Sequence, residues 1–174
     1  RSIDRPVLRV NSISRPCLNK PKDLEIDSQS LMKLAYKQAE ISESNGEVPV
    51  GALYYDDGQV MAVSGNVSIA NHDPSGHAEI DVLRKAAKIK KNYRTRGTLV
   101  VTLEPCMMCM GAIIQARVDT LIFGAFDPRS GAAGSAFDFS DSSKLNHKVN
   151  VIGGVMERQC KALMQDFFRS RRKN

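Results

Sequence analysis

The chain contains no apolar run long enough to span a bilayer, and no short apolar block of the kind that marks a secretory signal. A helical membrane protein is therefore not expected. Cysteine is sparse: Cys17, Cys106, Cys109 and Cys160. Two of these form a Cys-x-x-Cys pair, and the other two lie far from it and from each other. That spacing gives no disulfide framework and favours a reducing, cytosolic compartment. Histidine is scarcer still, at His72, His77 and His147, which limits the ways protein ligands could fully enclose a metal. No segment repeats another, which excludes a solenoid or propeller. With 174 residues the chain is too short for two ordinary domains but long enough for one with a substantial core.

What is present fits a globular domain, with 42% hydrophobic and 25% charged residues. The formal net charge is +6, and much of the positive charge gathers at the two ends. Arg1, Arg5, Arg9, Arg15, Lys20 and Lys22 lie at the start, and Arg158, Lys161, Arg169, Arg171, Arg172 and Lys173 at the end. A basic balance suits a polyanionic partner, nucleic acid being the commonest. Basic residues closing a helix also complement its dipole with no partner at all. Residues 1–26 are rich in Arg, Ser and Pro, and Pro6, Pro16 and Pro21 interrupt any regular element. They read as a flexible basic arm or extension in preference to an organelle transit peptide. The compact domain is expected over residues 27–174.

Within that domain Leu31, Leu34 and Ala35 begin a helical stripe that ends at Asn45-Gly46. Val48–Tyr55 and Val60–Ser64 read as strands joined by the turn Asp56-Asp57-Gly58, followed by a loop over residues 66–71. Asp73 and Pro74 suit the cap and first position of a helix, placing His77 and Glu79 in or near its first turn. Thr98–Leu103 is a continuous β-branched and apolar run, as in a strand covered on both faces. A helix over Cys106–Ala116 is apolar nearly all round and is expected to be buried. Thr120–Gly124 and Lys148–Ile152 read as further strands. The last helix carries Cys160, Leu163, Met164, Phe167 and Phe168 at helical spacing, mostly as core packing. Helices alternating with strands after an initial hairpin predict an α/β fold, a three-layer α/β/α sandwich with a mixed five-stranded sheet.

The chemistry resides in His77-Ala78-Glu79 and Pro105-Cys106-Met107-Met108-Cys109. Alone, Cys106 and Cys109 suit zinc binding or thiol redox work equally. With His77 they supply three ligands to a tetrahedral zinc ion and leave one position for water. Zinc lowers the pKa of that water towards about 7. Two helix starts meeting at the ion would favour thiolate over thiol. A structural site needs a fourth ligand, and neither His72, upstream of a turn, nor Cys160, on a core stripe, suits that role. Glu79 would not bind the metal. It would carry the water's proton to a ring nitrogen as an exocyclic amine leaves. This pattern, H-x-E followed by P-C-x-x-C, is that of the zinc nucleobase deaminases.

From Leu31 to Lys173 the chain resembles the bacterial tRNA-specific adenosine deaminases of the cytidine/deoxycytidylate deaminase superfamily. The matching stretches are residues 46–52 (GEVPVGA), 77–80 (HAEI), 102–109 (TLEPCMMC), 124–127 (GAFD), 131–135 (GAAGS), 146–147 (NH) and 167–169 (FFR). The resemblance implies a cytidine-deaminase-like fold, one Zn2+ per subunit and a homodimer with active sites near the subunit interface. It implies conversion of adenosine to inosine at the wobble position of tRNA, chiefly arginine tRNA with an ACG anticodon. By the same resemblance Asn66 reads the base edge, Asp127 contacts the nucleotide backbone, and Ala78 contacts the substrate. His147, Phe168 and Arg169 would meet the anticodon stem-loop. Phe126 and Gln159 depart from the family pattern, where polar or basic and acidic residues respectively are common. A free-base or nucleoside deaminase acting on guanine, cytosine or cytidine would use the same zinc apparatus.

Overall fold

The computed structural model describes residues 27–172, and the expected arm over residues 1–26 and the final Lys173-Asn174 lie outside the described residues. Helix α1, Ser28–Ser44, is capped by Asp27, whose carboxylate accepts the Ser30 amide at 2.8 Å. Leu31, Met32, Ala35, Ala39 and Ser42 form its buried arc. Leu34, expected in that stripe, is 45% exposed, because at 100° per residue it falls outside the arc. Strands β1, Gly51–Asp56, and β2, Gln59–Gly65, form the expected hairpin. Asp57 and Gly58 both take positive φ (48° and 78°), as a tight hairpin turn requires. β1 begins later than Val48, because Pro49 offers no amide and Val50 donates back to the Val48 carbonyl at 2.8 Å.

Helix α2 spans Ala78–Lys90 and does not begin at Asp73-Pro74. The Asp73 carboxylate instead accepts the amide and hydroxyl of Ser75 (2.8 and 2.7 Å) and closes a tight turn ahead of the helix. Strand β3, Thr98–Leu103, has the expected bounds. Helix α3 follows over Met107–Gln115, β4 over Thr120–Ala125, β5 over Asn150–Ile152 and α4 over Glu157–Arg171. β5 is shorter than expected because the Val149 amide turns away to the Ser140 carbonyl at 3.1 Å.

The five strands form one sheet in the order β2-β1-β3-β4-β5. β1 runs antiparallel to β2 and β3, whereas β3, β4 and β5 are mutually parallel. Successive side chains point to opposite faces. Leu53, Val100 and Ile122 pack with α1 and Cys160 of α4 on one side, and Tyr54, Leu99, Val101, Leu121 and Phe123 with α2 and α3 on the other. This is the predicted three-layer sandwich with a mixed sheet. The helix on the α4 side sits very close to the sheet: a Cβ on Gly124 would lie 2.5 Å from Cys160 Sγ, so only glycine fits there.

Helix α3 is not buried all round. Cys109, Met110, Ile113 and Ile114 are, but Met107 and Met108 are 50% and 39% exposed.

Strand directions bring the important loops to one edge of the sheet. Leu103 pairs with Ala125, so β3 and β4 end side by side, and their continuations hold Cys106 and Asp127. β1 starts at that edge, since Ala52 pairs with Val101, and Gly51 pairs with Gly65 at the end of β2. Glu47 and Asn66 therefore arrive there too. The crevice beyond the carboxyl ends of parallel strands is the usual ligand position in open α/β sheets.

Candidate active site

His77 and Cys106 are the N-cap residues of α2 and α3, both in extended conformation, and neither side chain caps its helix. Their side chains are thus free to converge. His77 Nδ1 lies 3.7 Å from Cys106 Sγ and 3.4 Å from Cys109 Sγ. A tetrahedral ion with zinc-like bond lengths separates its nitrogen and sulfur ligands by about 3.6 Å, so the three side chains fit such a metal. They form a group that can hold a metal ion, their ligand atoms all within 4.8 Å of one another. Cys109, one turn into α3, is buried, whereas His77 and Cys106 are half-buried and leave an open side.

The electrostatics suit a cation. A hydrogen bond from Cys109, helped by His77, pulls the Cys106 thiol down to about 4. The same bond, with burial, pushes the Cys109 thiol up, so without a cation the pair favours one thiolate. The hydrogen bond to Cys106 also raises His77. Two helix N-termini aimed at the cluster stabilise the negative sulfur. Glu79, in the first turn of α2, is 4% exposed, and burial pushes its carboxyl above the usual carboxylate range. Ala78, between His77 and Glu79, is fully buried and is the first residue of α2, where backbone amides have no partner within the helix.

Two loops flank this cluster, and each is organised by a carboxylate that sequence reasoning missed. Glu47 accepts the Ala70 amide at 2.6 Å, the Ile69 amide at 3.2 Å and Asn66 Nδ2 at 3.4 Å. Asn66 is 7% exposed, and its Oδ1 accepts no hydrogen bond among the described residues. Glu104 accepts the amides of Asp127, Ala133 and Ser135 and the Ser135 hydroxyl. The Ala132 amide reaches the Pro105 carbonyl at 2.8 Å, so the 127–135 loop is also zipped to the segment carrying Cys106. Gly131 permits that approach: a Cβ there would lie 2.4 Å from Glu104 Cδ and 2.6 Å from the Asp127 carbonyl. The Asp127 carboxylate accepts the amides of Arg129 and Ser130, closing its own turn. The available signal for the two glutamates was an acid placed directly before Val-Pro or Pro-Cys, in otherwise apolar sequence.

Beside the 127–135 loop lies a groove of about 970 Å³. Leu103, Phe126, Met164 and Phe168 give it an apolar floor, and Arg129, Lys161, Arg169 and Arg172 bring positive charge. Phe126 and Phe168 are 46% and 45% exposed, each held edge-on against its buried neighbour, Phe123 or Phe167. Arg171 secures the end of α4 by donating to the Gly46 carbonyl at 2.6 Å. Gln159, at the start of α4, is exposed. His147 is not brought to this edge. Its Nε2 donates to the Val118 carbonyl at 2.6 Å, ahead of the opposite end of β4.

Residues 26–172 match the profile of the MafB19-like deaminase family. The tRNA-specific adenosine deaminase of Haemophilus influenzae is 45% identical over 146 residues, 83% of this chain and 84% of its own length. That of Bacillus subtilis is 40% identical over 143 residues, 82% of this chain and 89% of its own. A structure solved in work on A-to-I editing by tRNA:A34 deaminases at the wobble position of transfer RNA is similar, with a TM-score of 0.74 at 39% identity. It covers 76% of this chain and 97% of that one.

Proposed function

This chain belongs to the MafB19-like deaminase family, among the tRNA-specific adenosine deaminases, and from that premise we propose that it converts adenosine to inosine at the wobble position of tRNA, chiefly arginine tRNA with an ACG anticodon. The observation that carries the mechanism is the convergence of three metal ligands with the buried Glu79 at one open crevice. His77, Cys106 and Cys109 would hold one Zn2+ per subunit, which when bound makes water acidic enough to attack at neutral pH. Glu79 takes the proton from the attacking water and delivers it to the adjacent ring nitrogen. It then assists departure of ammonia from the carbon. Burial that raises its carboxyl suits a group that must both take and return a proton near neutral pH.

The remaining roles rest on the family resemblance. Asn66 offers its Oδ1, which accepts no hydrogen bond among the described residues, to the base edge, and Ala78 contacts the substrate beside Glu79. Asp127 meets the nucleotide backbone from its loop. Phe168 and Arg169 receive the anticodon stem-loop along the groove, where Phe126 replaces a polar contact with a stacking surface. His147, seated on Val118, is the one proposed contact at the other sheet edge, and would reach the stem-loop only away from the base. A homodimer would cover Met107 and Met108, the exposed part of an otherwise apolar α3. No helix of the described residues is long and apolar enough to cross a membrane. A tRNA substrate and thiolate ligands support a cytoplasmic location.

One experiment separates this reading from the small-substrate alternative. The protein is incubated with adenosine, cytidine, guanine and an arginine tRNA anticodon stem-loop, and the products are resolved by chromatography. Inosine in the stem-loop is expected. Turnover of a free base or nucleoside with an unmodified stem-loop would overturn it.

A further inference from the structure

Glu47 and Glu104 take no part in the chemistry described above. Each is 2% exposed, and neither joins an ion pair among the described residues. A buried carboxylate without a cation is costly unless hydrogen bonds replace its lost water. Both glutamates find those bonds in a loop. At Glu104, Oε1 accepts the amides of Ala133 (3.1 Å) and Ser135 (3.0 Å). Its Oε2 accepts the amide of Asp127 (3.0 Å) and the hydroxyl of Ser135. At Glu47, Oε1 takes the Ala70 amide, and Oε2 takes the Ile69 amide and the Asn66 side chain. Every partner donates here, and both oxygens of each carboxylate accept.

Their positions in the chain give these bonds a consequence. Glu104 directly follows the end of β3 and stands two residues before Cys106. Glu47 stands just ahead of β1. Each side chain therefore extends from the sheet edge and grips a loop that carries a residue assigned above to the substrate. We propose that Glu47 and Glu104 are positioning residues: Glu47 fixes Asn66 for the base, and Glu104 fixes the 127–135 loop, with Asp127, for the RNA backbone. The proposal rests on the reading of the crevice as a tRNA deaminase site. It assigns no proton transfer to either residue. Held loops do not need to be ordered when RNA binds, so substrate affinity keeps the free energy that ordering would consume.

Glutamine tests this at constant shape. In Glu104→Gln the new NH2 faces the Ala133 and Ser135 amides in one orientation and the Asp127 amide in the other, where the Ser135 hydroxyl can turn to accept. In Glu47→Gln one orientation sets NH2 against a single donor. Wild type, both variants and Ser135→Ala are loaded with zinc and assayed on the arginine anticodon stem-loop. The readouts are KM, kcat per bound zinc, and hydrogen exchange at single amides. Glu104→Gln is expected to raise KM by about tenfold or more, and Glu47→Gln by about three- to tenfold, with kcat per zinc changed by less than about threefold. Exchange should quicken at Asp127, Ala133 and Ser135 in the first variant and at Ile69 and Ala70 in the second, while β3 and β4 stay protected. Ser135→Ala removes one hydrogen bond and leaves the carboxylate, so a smaller KM increase in the same direction is expected even if Glu104→Gln folds poorly. Unchanged KM with unchanged loop exchange overturns the proposal. So does a general loss of protection with KM unaltered, which is the outcome of a purely structural role. Wild-type protein that leaves the stem-loop unmodified defeats the functional reading instead, and the exchange pattern still decides whether the glutamates hold the loops.

Discussion

Glu79 and Gly131 are two single residues through which different properties of the same crevice can be tested. Glu79→Ala leaves His77, Cys106 and Cys109 in place. The variant is expected to retain its metal while turnover falls by about 10²- to 10⁴-fold, the usual contribution of a positioned proton carrier. Elemental analysis beside an inosine assay checks this, and wild-type turnover in the variant would remove Glu79 from the mechanism. Gly131→Ala would act through space. Its new methyl would lie 2.4 Å from Glu104 Cδ and 2.5 Å from Glu104 Oε2, with the Asp127 carbonyl 2.6 Å away. Overpacking of this kind costs about 1–3 kcal/mol, and the cost should appear as a lower melting temperature together with weaker stem-loop binding. Unaltered binding would mean that the loop tolerates displacement.

Among the elements, β3 and β4 were the most legible. Both are buried along most of their length; β3 has the expected bounds, and β4 runs one residue beyond the expected Gly124, to Ala125. α2 was misplaced at its start because Asp73 offers its carboxylate equally well to a turn or a helix, and Ser75 two residues on decided for the turn. α3 looked buried on all sides because sequence pattern reports polarity and not coverage, so the exposure of Met107 and Met108 could not be read from it. Helix α1 lies across the sheet from α2 and α3, at whose starts the group able to hold a metal is found. Met32 on its buried arc is fully inaccessible. Met32→Ala should cost about 2–5 kcal/mol, with each kcal/mol lowering the melting temperature by about 2–4 °C in a domain of this size. Metal content and KM should hold below that transition. A change in KM well below the melting temperature would mean that α1 communicates with the crevice.

At the scale of the whole molecule, part of the positive charge of the described residues is gathered in one place. Lys161 and Arg169 on α4, and Arg172 just after it, gather with Arg129 around the apolar groove beside the crevice. Charge of this kind acts on the phosphates through counterion release. Stem-loop affinity is therefore expected to fall steeply and log-linearly as salt rises from about 50 to 200 mM, with a shallower slope in Arg169→Ala, measured by anisotropy titration. An affinity indifferent to salt would leave the groove without a part in RNA binding.

The amino-acid sequence alone determined the reaction class and the layer architecture. Residue types able to hold a metal are few in kind and here fall in short motifs, so His77, Cys106 and Cys109, with Glu79 two residues after the histidine, declare themselves in one dimension. Apolar periodicity likewise declares strands and helices. Only the tertiary structure decided what surrounds that chemistry. Strand direction, which local pattern does not encode, brought Glu47, Asn66, Glu104 and Asp127 to one sheet edge and sent His147 to the other. Burial then turned Glu47 and Glu104 from ordinary surface-type residues into the acceptors around which both flanking loops are built.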